Sequence, residues 1–430
     1  MPMTAVLLWW YKILMEYQEI IHIIENKRRF GNLPGVIISK HMLAAVGNPQ
    51  KDLAFIHIAG TNGKGSTAAF LYSILNEAGI KAGLFTSPHL IDFTERIQAN
   101  GRQISKEDAA RLGQKLLHLD LNVNPVMFDY CMAMAMLYFK EQGCQIVILE
   151  TGLGGRLDST NAIDAPKVSV ITKIGYDHTD ILGNTLSEIA AEKAGILKKG
   201  TRAIIESQHP EALHVLESHC KNLQIPYQIA DPKQIVPVDS GFSYPGELPY
   251  QMKMSGEFQK ENALAAILSA RELMALSYPV TEHAIHRGIA NAFWAGRMET
   301  ICRNPFLLID GAHNKDGVES LLKSLRILYP GEKFHFIMGA LADKDYRGMA
   351  ELILPFAQKV TAVTPENKRA LQAKTLASYI RKAGIKASCE ENLAEVFAPF
   401  FTKQTKTNSD LRTVAFGSLY FIGEIKKIFS

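Results

Sequence analysis

The stretch that most limits what this chain can become is residues 55–70, FIHIAGTNGKGSTAAF. An apolar run from Phe55 to Ala59 breaks into Gly60-Thr61-Asn62-Gly63-Lys64-Gly65-Ser66, and an alanine-rich amphipathic stretch follows at once. That order predicts a buried strand, a phosphate loop and a helix. The glycines let backbone N–H groups turn toward an anion, and the helix start adds partial positive charge. Lys64 can then reach the outer phosphates of a nucleotide. The usual pattern GxxxxGKS/T is not met, because Ile58 stands at its first glycine and Gly65 follows the lysine directly. A glycine-rich turn that binds nothing is the alternative at this point.

The rest of the chain supplies a setting for the loop. Apolar residues recur at helical spacing from Met15 to Arg29, and Phe30-Gly31-Asn32-Leu33-Pro34-Gly35 breaks that helix. A helix from Ser66 to about Ala78 ends at Gly79, and Ala82 to Thr86 is the next strand, so the sheet is parallel. Phe128 to Gln142 is a buried helix whose methionines are core filler. Gln145 to Leu149 is a buried strand that delivers Glu150 at its carboxyl end. Lys167 to Thr172 is another, running out into Gly175-Tyr176-Asp177-His178. Thr185-Leu186-Ser187-Glu188 has the form of a capping box, and Gly195 closes the helix it opens. Ligands of parallel sheets gather beyond the carboxyl ends of the strands, so Ser87, Glu150 and His178 are placed on the same rim as Lys64.

Residues 201–255 read as short strands and loops, and Glu261 to Leu276 as a helix. After Trp294-Ala295-Gly296-Arg297, strands at Phe306–Ile309, Phe334–Met338, Lys359–Val363 and Thr413–Phe416 alternate with helices. The fold class is therefore α/β: an N-terminal P-loop ATPase domain with a largely parallel sheet, and a smaller C-terminal Rossmann-like α/β domain. A chain of 430 residues is long enough for two such cores. The expected organisation is a non-native or disordered extension over 1–14, an ATP-binding domain over 15–298 and a second domain over 299–430.

Composition excludes several classes of function. A net charge of +4 with no long Lys/Arg block offers no nucleic-acid stripe. The five cysteines are scattered without CxxC spacing, which argues against a disulfide framework or a zinc site. The apolar patch Ala5 to Trp10 is too short to span a bilayer. A cytoplasmic protein with small-molecule partners is expected, binding neither nucleic acid nor membrane.

Taken together, the motifs resemble the folylpolyglutamate synthase and dihydrofolate synthase branch of the Mur ligase superfamily. They are GTNGKGS at 60–66, FTSPHL at 85–90, ETGLGGRLDSTN at 150–161, DHTDILG at 177–183, EKAGI at 192–196, WAGR at 294–297, DGAHN at 310–314 and GSLYFIGE at 417–424. The resemblance implies a monomeric ATP-dependent ligase that joins L-glutamate to a folate or dihydropteroate carboxylate through an acyl phosphate. It assigns the ATP phosphates to Asn62, Gly63, Lys64, Gly65 and Ser66, and further ATP contacts to Asn262, Arg297 and Asp310. Ser87, Glu150 and His178 become magnesium ligands, and Phe128, Leu157, Asp158 and Ser159 contact the pterin. Two magnesium ions are implied, the second held by a carbamate on Lys193. Lys64, Lys193 and His178 are the catalytic candidates, and the nucleotide lies between the domains.

Each assignment has a plainer alternative. Glu150 could cap the next turn, His178 could be a loop histidine, and Ser87 could begin a turn before Pro88. Arg297 could form a surface ion pair, Asp310 an Asp-Gly turn, and Lys193 an exposed complement to a helix dipole. Asp129 stands where the family has glutamate, Phe258 precedes Gln259 where histidine is frequent, and Ala295 occupies a common proline position. These departures leave open whether dihydropteroate, tetrahydrofolate or both are accepted. A peptidoglycan-precursor ligase of the same superfamily is the enzymatic alternative, and an ATP-dependent switch protein the non-enzymatic one.

Overall fold

A computed structural model of the chain describes residues 15–28, 32–401 and 411–430. The expected extension over 1–14 and the helix break at Phe30-Gly31 lie outside the described residues. The chain divides into two compact units, one of residues 1–252 with 261–292 and the other of 253–260 with 293–430.

The first unit is built on an eight-stranded sheet. Its strands are β1 (Ala54–Ala59), β2 (Ala82–Phe85), β3 (Ile97–Ala99), β4 (Arg102–Gln103), β5 (Ile146–Glu150), β6 (Val168–Ile171), β7 (Arg202–Glu206) and β8 (Tyr227–Ala230), in the spatial order β4-β3-β2-β5-β1-β6-β7-β8. In that order the neighbours from β2 onward pair in parallel, and only the pairings β2-β3 and β3-β4 are antiparallel. Strands β2, β5 and β6 are buried along their whole length, as parallel strands covered on both faces must be. One covering core contains Ile38, Met42, Leu112, Phe139, Val147 and Leu149. The other contains Ile171, Ile189, Ile205 and Leu216. Met132, Met134 and Met136 are fully buried, which bears out their reading as core filler.

Because β2, β5, β1 and β6 are adjacent and parallel, their carboxyl ends share one rim. Residues 60–63, 86–90, 151–158 and 172–178 all leave from it. The helix after the loop spans Lys64–Glu77, two residues ahead of the expected start.

Residues 201–255 depart from the sequence reading. They contain β7, β8, a small antiparallel sheet of β9 (Val236–Val238), β10 (Gly241–Ser243) and β11 (Tyr250–Gln251), and also the helix Pro210–Leu223. The prolines of this region suggested loops, but Pro210 sits at the first turn of the helix, where a missing N–H costs nothing. Ala212, Leu216 and Cys220, four apart, form its buried stripe.

The second unit has a six-stranded sheet of β12 (Glu299–Arg303), β13 (Phe306–Ile309), β14 (Phe334–Met338), β15 (Ala357–Val363), β16 (Lys386–Glu390) and β17 (Thr413–Phe416), ordered β12-β13-β17-β14-β15-β16. Only the pair β12 and β13 is antiparallel. Helices Lys315–Leu328, Tyr346–Ile353 and Ala373–Lys382 bury Leu321, Met349 and Leu376 in its core.

The helix Leu186–Ala194 carries the expected capping box: Thr185 Oγ1 accepts the Glu188 amide at 3.2 Å, and Glu188 accepts the Thr185 amide at 3.1 Å. Gly195 ends this helix, but not through a left-handed turn, since its φ is −61°. A Cβ there would collide with the Arg156 backbone, so glycine is required by close approach. Thr185→Ala should cost about 1 kcal/mol and lower Tm by a few degrees in a thermal unfolding scan, because the amide of Glu188 loses its acceptor.

Candidate active site

The loop after β1 is held from below. The amides of Thr61 and Asn62 both donate to the Lys173 carbonyl, at 2.8 and 3.2 Å. Thr172 Oγ1 donates to the Asn62 carbonyl at 2.7 Å. The Thr61 hydroxyl exchanges hydrogen bonds with the carbonyl and amide of Gly175, each 3.1 Å. Gly63 then adopts φ 90°, a left-handed conformation suited to glycine, and caps the helix Lys64–Glu77. Asn262 is buried directly against it, since a Cβ on Gly63 would collide with Asn262 Oδ1. The loop thus sits at the positive end of a helix, a geometry that receives anions.

Two lysines converge on one carbonyl of this loop. Lys64 Nζ donates to the carbonyls of Gly60 at 3.2 Å and Thr61 at 3.3 Å. Lys193 Nζ donates to the same Gly60 carbonyl at 2.9 Å. Lys193 is 3% exposed, so the solvent-exposed dipole reading does not hold. Burial, and secondarily the charge of Lys64, lower its pKa to about 7, against the opposing pull of Asp177 and Asp158. Near neutrality an appreciable fraction of Lys193 is therefore an uncharged amine.

Glu150 is 4% exposed and ends β5. Its Oε2 accepts the Ser87 amide at 3.1 Å, which joins the ends of β2 and β5. His178 lies in the loop after β6 with φ 50°, where it begins the short helix Thr179–Leu182. Its Nε2 is 3.8 Å from Asp177 Oδ1. Among the described residues no group of three His, Cys, Asp or Glu side chains is gathered for a metal. The expected set contains only two such residues, with the Ser87 hydroxyl as a third donor. A buried carboxylate beside a serine at a strand end supplies the hard oxygen ligands that suit magnesium.

Next to this rim lies a separate cluster. Asp158 accepts the Leu153 amide at 2.8 Å, the Thr160 amide at 2.9 Å and the Thr160 hydroxyl at 2.5 Å, and its burial raises its pKa. Ser159 donates to Asp129 Oδ1 at 2.7 Å, Ser39 donates to the same oxygen at 3.0 Å, and the Val126 amide donates to Asp129 Oδ2 at 2.9 Å. Phe128 lies 5.6 Å from Phe85, centroid to centroid, while Leu157 is exposed. Phe128, Asp158 and Ser159 are thereby fixed, and Leu157 presents an apolar surface. Asp129 is tied to three elements at once, which explains how the shorter carboxylate serves here.

In the second unit, Asp310 is buried and accepts the amides of Ala312 at 2.8 Å and Met298 at 2.9 Å, which braces the segment after β13 against residue 298. Burial raises its pKa and the nearby Arg297 opposes that rise.

The Mur ligase middle domain family matches residues 58–270, and the Mur ligase glutamate ligase domain family matches residues 296–410. The dihydrofolate synthase/folylpolyglutamate synthase of Bacillus subtilis is 36% identical over 96% of this chain and 98% of its own length. The chain belongs to the folylpolyglutamate synthase and dihydrofolate synthase branch of the Mur ligase superfamily. Among solved structures, the folylpolyglutamate synthase of Thermotoga maritima is 30% identical, with a TM-score of 0.81 over 96% of this chain and 97% of its own. FolC of E. coli in complex with DHPP and ADP is 26% identical, with a TM-score of 0.83 over 96% and 97%.

Sequence reasoning missed the parts of this ligase that act through the backbone. Thr172, Lys173 and Gly175 shape the loop, and their only signal was position, directly after a buried strand next to β1. The two-lysine convergence predicts a sharp asymmetry between stability and activity at Lys64. Lys64→Ala should keep a near-normal Tm but lose on the order of a hundredfold or more in ligation rate, because it removes the positive charge expected to offset a phosphate rather than packing. Steady-state kinetics on the folded variant checks this.

Proposed function

We propose that this chain adds L-glutamate to the carboxylate of a folate, acting as a tetrahydrofolylpolyglutamate synthase, and also accepts dihydropteroate. The observation that carries the reading is the convergence of Lys64 and the buried Lys193 on the Gly60 carbonyl. It joins the loop's own lysine, Lys64, to a buried amine that is within electrostatic reach of Asp158. Lys64 and the backbone of residues 62–66 take the triphosphate of ATP and neutralise charge as the folate carboxylate attacks the γ-phosphate. The carboxylate oxygen bonds to phosphorus and ADP leaves; the glutamate amine then bonds to the acyl carbon, the bond from that carbon to the phosphate oxygen breaks, and phosphate and a proton are released. The chain's work in both steps is alignment and charge stabilisation. Asn262, Arg297 and Asp310 are further nucleotide contacts on the resemblance.

Phe128, Leu157, Asp158 and Ser159 take the pterin. A buried carboxylate, Asp158, with backbone amides behind it is suited to a ring that offers N–H donors. Ser87, Glu150 and His178 would hold magnesium, which supplies charge neutralisation to the phosphates when bound. The ligase is read as a cytoplasmic monomer, a compartment that fits its free thiols Cys131, Cys144, Cys220, Cys302 and Cys389.

Lys193 is the site of a carbamate in this reading. Its neutral amine bonds to carbon dioxide through nitrogen, one C=O pair moves onto oxygen, and a proton passes to water. The resulting carboxylate would help hold a second magnesium ion. A pKa near 7 makes the amine available at neutral pH and withdraws it on acidification, whereas arginine stays charged. Lys193→Arg should therefore lose on the order of a hundredfold in rate, and Lys193→Ala should recover part of its activity with formate or acetate. An active arginine variant would contradict the carbamate.

ADP release with L-glutamate and each of tetrahydrofolate, dihydropteroate and a muramyl precursor tests the substrate class. Turnover is expected with both tetrahydrofolate and dihydropteroate. Turnover with the muramyl precursor alone would favour the peptidoglycan branch, and ADP release independent of any acceptor would favour a switch.

A further inference from the structure

Strand β7 ends at Glu206, and its parallel ladder with β6 stops at Ile171 and Ile205. Beyond that point side chains replace the ladder. Glu206 Oε2 accepts the Lys173 amide at 2.8 Å. Gln208 Oε1 accepts the Ile174 amide at 2.9 Å, and Gln208 Nε2 donates to the Thr172 carbonyl at 3.0 Å. Both faces of the 172–174 backbone are thus occupied. On one side are Glu206 and Gln208, and on the other are Thr61 and Asn62, whose amides meet on the Lys173 carbonyl. The Lys173 residue is the bridge: its N–H is aimed at Glu206 and its C=O at the phosphate loop.

We propose that Glu206 is a positioning residue for ATP, which sets the phosphate loop through the Lys173 backbone and does so as an uncharged acid. This rests on the reading that residues 60–66 hold the ATP phosphates. Glu206 is 2% exposed and its Oε1 has no hydrogen-bond partner. The groups that face it are Glu261, which opposes its ionisation, and Lys173, whose amide and ammonium favour the carboxylate although the ammonium itself donates to the Ser207 carbonyl at 2.7 Å. Burial first, and then Glu261, push its pKa up to about 8. An acid retains a carbonyl oxygen for the Lys173 amide while adding no negative charge beneath a loop that must accept a triphosphate. A carboxylate there would oppose that binding.

The geometry separates acceptor from charge. Glu206→Gln keeps an acceptor and can never ionise, whereas Glu206→Met fills a similar volume and leaves the Lys173 amide without a partner. ATP dissociation constants, with KM for the folate and for glutamate, are measured for the full-length enzyme and both variants at pH 7 and pH 9. Lys64→Ala serves as the control. At pH 7, ATP binding by Glu206→Gln should stay within about twofold of the parent, and Glu206→Met should bind ATP about tenfold more weakly with an unchanged folate KM. Lys193 titrates in both proteins, so between pH 7 and 9 the parent should lose several-fold more ATP affinity than Glu206→Gln. Unchanged ATP binding in a folded Glu206→Met, or equal losses for ATP and folate, would overturn the proposal. If Glu206→Met does not fold, the pH comparison decides, and parallel profiles in the parent and Glu206→Gln would overturn it. Undiminished ATP binding in Lys64→Ala would instead remove the loop assignment on which it rests.

Discussion

The Gly60 carbonyl, which receives the ammonium groups of both Lys64 and Lys193, is the contact on which the site depends. Two like charges on one acceptor are mutually unfavourable, and burial makes this worse for Lys193. The arrangement is stable where one lysine gives up its proton or where an anion arrives between them. A triphosphate meets the second condition, and an amine that reacts with carbon dioxide meets the first. The electrostatic tension between the two lysines and the chemistry proposed for the loop have one origin.

That contact exists only because the sheet order brings distant segments to one rim. Lys64 follows β1, while Lys193 ends a helix that begins after β6 and turns back over the sheet. Gly195 lets the end of this helix lie against Arg156, in the same segment that carries Asp158. The loop at residues 60–66 and the segment carrying Asp158 therefore share their supports, and a change in the packing of either reaches the other. Asp129, bonded to Ser39, Ser159 and the Val126 amide, plays a comparable part next to Ser159.

Much of this was legible in the sequence where chemistry and period coincide. The strands Phe306–Ile309, Phe334–Met338 and Thr413–Phe416 fall where their apolar runs place them. The capping box at Thr185 is a local pattern and forms as written. The helix Pro210–Leu223 was hidden because its one buried stripe, Ala212, Leu216 and Cys220, is weakly apolar and prolines surround it. The burial of Lys193 could not be read from its neighbours, since it is imposed by a loop more than a hundred residues away. Glu206 gave no signal at all: a glutamate at a strand end is ordinary, and the role proposed for it comes from the Lys173 peptide just beyond β6.

The central claim is that the loop brings ATP and a carboxylate together for phosphoryl transfer, not merely for hydrolysis. Folate labelled with oxygen-18 in the reacting carboxylate tests this most directly, with mass analysis of the phosphate released in the presence of ATP and glutamate. Attack by the carboxylate predicts one labelled oxygen in each phosphate. Unlabelled phosphate, formed at the same rate as the amide, would contradict it.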